Sequence, residues 1–68
     1  MLKKAMDLQG KHIFTKTFGD GEINTITKKS YDEADGIYVY FHSNRDGEIK
    51  LDGEEFLNDI ERVQDIKA

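Results

Sequence analysis

The chain has 68 residues, 10 Lys and Arg against 14 Asp and Glu, and no Cys or Pro. That length is one domain and excludes folds of several hundred residues such as a TIM barrel. The absence of Cys excludes disulfides and thiolate-bound metals as reinforcement, so the 37% apolar residues must build a thin core alone. The net charge of −4 is unevenly placed. Residues 1–30 carry six Lys and three acids (+3), and residues 31–68 carry four bases and eleven acids (−7). An acidic total argues against non-specific DNA binding, which runs on Lys and Arg displacing counterions from phosphate.

At the start, Leu2, Ala5 and Met6 are spaced for one helical turn before Gly10. Lys3 and Lys4 are not followed by the apolar run of a secretory leader, and no stretch reaches transmembrane length. A cytoplasmic location with no membrane association is therefore expected.

Three runs rich in β-branched and aromatic residues follow: Lys11–Lys16, Glu22–Lys28 and Ile37–His42, the last being the strongest strand signal. A fourth, shorter run is Glu48–Leu51. Four of the six Gly follow Asp, at Asp20-Gly21, Asp35-Gly36, Asp46-Gly47 and Asp52-Gly53, the dipeptide that supplies tight hairpin corners. Turns are expected at 17–21 and 43–47, and a polar, mobile connection at 29–36.

After Gly53 the period changes. Phe56, Leu57, Ile60, Val63 and Ile66 mark one face of a helix, predicted over 53–65. Asp52 or Gly53 would cap it, and Glu54 and Glu55 would sit at its positive end. Four or five short antiparallel strands leave open edges unless the sheet closes or is covered. The expected architecture is mainly β, a small bent SH3-like barrel with a C-terminal helix, forming a single domain over 1–68.

Motifs for chemistry are weak. Anchoring an EF-hand on Gly47 puts Asp46 and Asn44 at ligand positions, but His42 falls at the first ligand and Gly53 at the last. A hairpin turn explains that segment better. Gly19-Asp20-Gly21 lacks the Lys-Ser/Thr of a phosphate loop. His12 and His42 lack metal-ligand spacing, and neither Ser30 nor Ser43 lies in a nucleophile elbow. No catalytic residue, metal or cofactor is expected, and so small a domain is not expected to enclose a substrate pocket.

Alternation separates Ile13 and Thr15 from His12, Phe14 and Lys16 on the first strand. On the third it separates Ile37, Val39 and Phe41 from Tyr38, Tyr40 and His42. With the β-branched set inward, His12, Phe14, Lys16, Tyr38, Tyr40 and His42 become a candidate partner-binding surface, unless the C-terminal helix lies over them. Exposed aromatics of this kind contact proteins or stack on bases.

The segment Gly10–Ile23 resembles the opening of the Tudor-like, SH3-type barrel at the C-terminus of UvrD/PcrA-type helicases, read as Gly-x-x-Val-x-His-x-x-Phe/Trp-Gly-x-Gly-x-Val. Gly10, Ile13, Phe18, Gly19, Gly21 and Ile23 match in type and spacing, while Thr15 stands at the His position. In that pattern the aromatic packs under the turn and Ile13 and Ile23 pair across the core. The resemblance implies a bacterial or phage adaptor that contacts RNA polymerase or other nucleic-acid machinery.

Three readings follow from the sequence. The first is a monomeric, non-enzymatic adaptor for a protein partner. The second is direct nucleic-acid binding through Lys11, Lys16, Lys28 and Lys29. The third is a small acidic inhibitor of the type phages use, acting through Glu54, Glu55, Asp59 and Glu61.

Overall fold

A computed structural model describes residues 2–29 and 36–66. The chain runs α1 (Leu2–Asp7), β1 (Lys11–Thr15), β2 (Gly19–Lys28), β3 (Ile37–Ser43), β4 (Gly47–Asp52), α2 (Gly53–Asp59) and β5 (Ile60–Asp65). All five strands are antiparallel and form one sheet in the order β4-β3-β2-β1-β5, so the last strand returns to pair with the first. Most of the predicted 29–36 connection, residues 30–35, lies outside the described residues.

The elements follow local rules. Ile37, Val39, Phe41 and Ser43 alternate inward and are buried, while Tyr38 and Tyr40 are half-buried and His42 is exposed. β2 serves both neighbours: Gly19–Gly21 pair with β1, and Gly21–Lys28 pair with β3 with a register shift between Ile23 and Thr25. Such bulges increase twist and bend a strand. At Gly21 the backbones come so close that a Cβ would lie 1.9 Å from the His42 carbonyl oxygen, so only glycine fits. Gly47 takes a positive φ of 81° at the β3–β4 corner, as its Asp-Gly dipeptide predicts.

The core comprises Ala5, Ile13, Ile23, Ile37, Val39, Phe41 and Phe56. Phe41 and Phe56 meet with ring centroids 5.2 Å apart, which places α2 on the inner face of the sheet. Ile13 and Ile23 share this core, but their strand partners are Gly21, Val63 and Phe41 rather than each other. Phe18 packs against the same cluster from the β1–β2 turn.

Two buried hydroxyls fasten the turns. Thr15 Oγ1 donates to the Gly19 carbonyl and accepts from the Phe18 amide. Ser43 Oγ donates to the Phe18 carbonyl at 2.6 Å and accepts from the Arg45 and Asp46 amides.

The helix predicted over 53–65 is instead two elements. Asp52 caps α2 through the Glu54 and Glu55 amides, but the helix stops at Asp59 and Ile60 is extended, with φ −70° and ψ 128°. Asp59 puts a negative charge at the negative end of the helix dipole, and the last turn has no basic residue. Its carboxylate accepts from the Thr17 amide and hydroxyl, and its carbonyl accepts from the Lys16 amide. Beyond it, β1 offers an unpaired edge, and residues 60–65 satisfy that edge as β5. The 3.6-residue pattern through Val63 was therefore overridden by strand pairing: Val63 lies opposite Ile13 and remains 38% exposed.

Candidate functional site

The sequence-predicted surface residues other than Lys16 share the outer face of the sheet but fall into two clusters on either side of β2. Both helices contribute to the opposite, inner side through Ala5 and Phe56. The C-terminal helix therefore does not lie over the outward aromatics.

The first cluster sits on β1. His12 and Phe14 are two residues apart, with ring centroids 4.5 Å apart. Arg62, opposite Phe14 on β5, places its guanidinium carbon 4.1 Å from the Phe14 ring centroid. His12 Nε2 lies 2.7 Å from Asp20 Oδ2. An ionised carboxylate only accepts, so this nitrogen carries the proton. Asn44 Nδ2 donates to the same oxygen at 3.0 Å, and the Asn44 amide donates to the Asp20 carbonyl. The hydrogen bond from His12, followed by that from Asn44, holds the Asp20 carboxyl below its ordinary value. Lys16 is exposed in the turn beyond β1.

The second cluster sits on β3 and β4. Tyr38 has the Lys50 ammonium 4.2 Å and the Lys29 ammonium 5.2 Å from its ring centroid. Lys50 also lies 6.0 Å from the Tyr40 ring, beside which it pairs across the strands. Thr25 and Thr27 flank Tyr40 and Tyr38 on β2. His42 is exposed between Glu22 on β2 and Glu48 on β4. Asp52 closes this end: it pairs with Lys29 and caps α2. Lys29, then the helix amides, holds its carboxyl below the ordinary range.

His12 and His42 stand on β1 and β3, with β2 between them. Among the described residues no group of three His, Cys, Asp or Glu is placed to hold a metal ion. The segment resembling a calcium loop forms the β3–β4 turn, β4 and the start of α2. Asp46 in that turn pairs with Arg45, which lowers the carboxyl and raises the guanidinium.

A groove of about 600 Å³ between α1 and α2 is open to solvent and lined by Lys4, Asp7, Leu8, Glu54, Leu57 and Asn58. A smaller one of about 270 Å³ lies between the β1–β2 turn, β4 and α2, where Phe18, Leu51 and Phe56 form its apolar part. No described helix is long and apolar enough to cross a membrane.

Sequence reasoning missed Arg62 as a surface partner of Phe14, because the helical reading put it on the wrong element. It also missed Lys50, although its alternation with Ile49 and Leu51 marks it as outward. Comparison with protein-family models, with curated proteins and with solved structures finds no match.

Proposed function

We propose that this chain is a non-enzymatic, SH3-like protein-binding module whose contact surface is the outer face of β3 and β4, centred on Tyr38 and Tyr40. The observation that carries the reading is the division of the sheet: the inner residues Ile13, Ile37, Val39 and Phe41 are 0% exposed, with Phe56 packed on them. The tyrosines are thus not needed to complete the core, and aromatic side chains with a polar tip are typical contact residues. The strand order, with β5 returning to β1, supports the SH3-like part of the reading. The adaptor role implied by the UvrD/PcrA-type resemblance is compatible with such a surface.

Direct binding of nucleic acid is the weaker alternative. Base stacking needs free ring faces, yet Tyr38 is attended by two ammonium groups and Phe14 by Arg62 and His12. An acidic inhibitor acting through α2 has no comparable constellation to support it.

The test is capture of a binding partner by the immobilised chain and by a Tyr38→Ala/Tyr40→Ala variant whose circular dichroism matches the parent. Loss of capture on the order of tenfold or more is expected for two central interface aromatics. Unchanged capture refutes the proposal.

A further inference from the structure

Residues 60–65 carry the signals of two structures. Phe56, Ile60 and Val63 are spaced as one stripe of a helix. Glu61, Arg62 and Gln64 are good helix formers, and no Gly or Pro stands between Glu54 and Asp65. The same residues pair with β1 instead, and that strand is lightly held. As an edge strand it is paired on one side alone, across a register shift between Phe14 and Thr15. Ile60 is half-buried against the core, but Glu61–Asp65 are all exposed, and Val63 keeps 38% of its surface in solvent. The side-chain contacts that fasten the strand lie on the surface: Lys11 to Asp65 at 2.5 Å, and Arg62 over the Phe14 ring. An exposed ion pair contributes little.

α2 ends without a local stop signal, passing straight into β5 at Ile60. Asp59 is an acid in its last turn and no base balances it, the arrangement the helix dipole disfavours. A helix continued through Asp65 would move Asp59 away from the end and bring Arg62 into the last turn, three residues from Asp59. Glu61 and Asp65, four apart, oppose that form, and so does the loss of the β1–β5 ladder. The change turns on one dihedral and one acceptor. Ile60 has ψ 128°, where a helix needs about −42°. The Asp59 carbonyl accepts from the Lys16 amide at 2.9 Å; in a continued helix it accepts from the Val63 amide, four residues on. The Thr17 amide and hydroxyl, both donating to the Asp59 carboxylate, hold the first arrangement in place.

We propose that residues 60–65 are a detachable strap, which exchanges between β5 and a continuation of α2 with the Thr17–Asp59 contact as its latch. The strand form closes the β1 edge and keeps Arg62 over Phe14. The helical form opens that edge along Lys11–Thr15 and frees the Phe14 ring. The strand is the major form, and the helix is a minor state within the ~0.1–10% typical of proteins with two conformations. The device is local to β1, α2 and β5 and does not depend on what the tyrosine face binds.

The experiment is nuclear magnetic resonance on the isotope-labelled full chain. Saturation transfer should reveal, at residues 60–65, a minor state whose Cα shifts are helical. The β1 amides should exchange at the same rate, because one event releases both strands. Hydrogen exchange at β5 should be at least ~10-fold faster than at Ile37–Phe41, as for an element that opens below global unfolding. Asp59→Ala removes the latch and the acid at the helix end. It should raise the helical population ~10-fold, the worth of a hydrogen bond to a charged group. Thr17→Ala removes the hydroxyl alone and should raise it by a smaller factor.

The absence of a minor state at 60–65 in the parent chain would overturn the proposal. So would a minor state with the shifts of random coil, which would make β5 a fraying strand with no second structure. Protection at 60–65 equal to that of β3, or an unchanged population in Asp59→Ala, would overturn it as well. If Asp59→Ala does not fold, Thr17→Ala, whose site is an exposed turn, carries the same test.

Discussion

Replacing Phe56 with alanine tests whether α2 seals the core. The ring is 1% exposed and packs against Phe41 at 5.2 Å between centroids. Truncating a buried phenylalanine costs about 3–5 kcal/mol, and loss of the aromatic pair, about 0.5–1.5 kcal/mol in other proteins, pushes the value toward the upper end. A domain of 68 residues has a total stability of about 3–10 kcal/mol at typical values per residue. The substitution therefore removes a third of the stability at least, and all of it at the lower bound. The effect should spread beyond one side chain. α2 has only seven residues, below the ~12–15 at which isolated helices become marginal, and β5 starts directly after it. Urea unfolding followed by far-ultraviolet circular dichroism and by tyrosine signal measures the loss. If Phe56→Ala does not fold, Phe56→Leu should fold with a loss of about 1–2 kcal/mol. A loss below about 1 kcal/mol for Phe56→Ala, far short of a buried aromatic truncation, would refute the placement of α2 on the inner face.

Two further outcomes are expected. Gly21→Ala should cost more than about 3 kcal/mol or prevent folding, because its Cβ would meet the His42 carbonyl, a backbone atom that cannot rotate away; a thermal melt within a few degrees of the parent would contradict it. Acid should destabilise the fold through Asp20, Asp46 and Asp52, whose folded carboxyls lie below the ordinary value of 3.8. The stability they contribute is present above that value and is lost as pH falls through the lower folded values. Urea midpoints measured from about pH 5 to about pH 2 should decline, and Asp52→Asn, which keeps a capping oxygen but loses the charge facing Lys29, should decline less over the same interval.

Much of the sheet was legible because period-two alternation is a local signal. Ile37, Val39 and Phe41 against Tyr38, Tyr40 and His42 assigned both faces of β3 without any knowledge of its neighbours. The Asp-Gly corner at Gly47 and the Asp52 cap were legible for the same reason, since backbone dihedrals and first-turn amides depend on adjacent residues. The end of α2 was not. Phe56, Ile60 and Val63 satisfy a helical period, and what stops the helix is an edge on β1 more than forty residues earlier, which pattern reading within 53–65 does not contain. That error carried Arg62 with it and hid its contact with Phe14. The outward aromatics were found by alternation, but the cations that attend them come from Lys29 just after β2, from β4 and from β5. Their placement over these rings depends on register between strands rather than on composition.

The division of labour between the two faces is tested most directly by the unfolding free energy of Tyr38→Ala/Tyr40→Ala, measured beside Phe56→Ala under identical conditions. The tyrosines are half-buried and held by cation–π contacts, which are worth about 0.5–1 kcal/mol each at exposed sites. The double variant should therefore lose about 1.5–3 kcal/mol and still unfold in one cooperative step. A loss as large as that of Phe56→Ala would mean that the outer aromatics belong to the core, and the surface assigned to partner recognition would not exist.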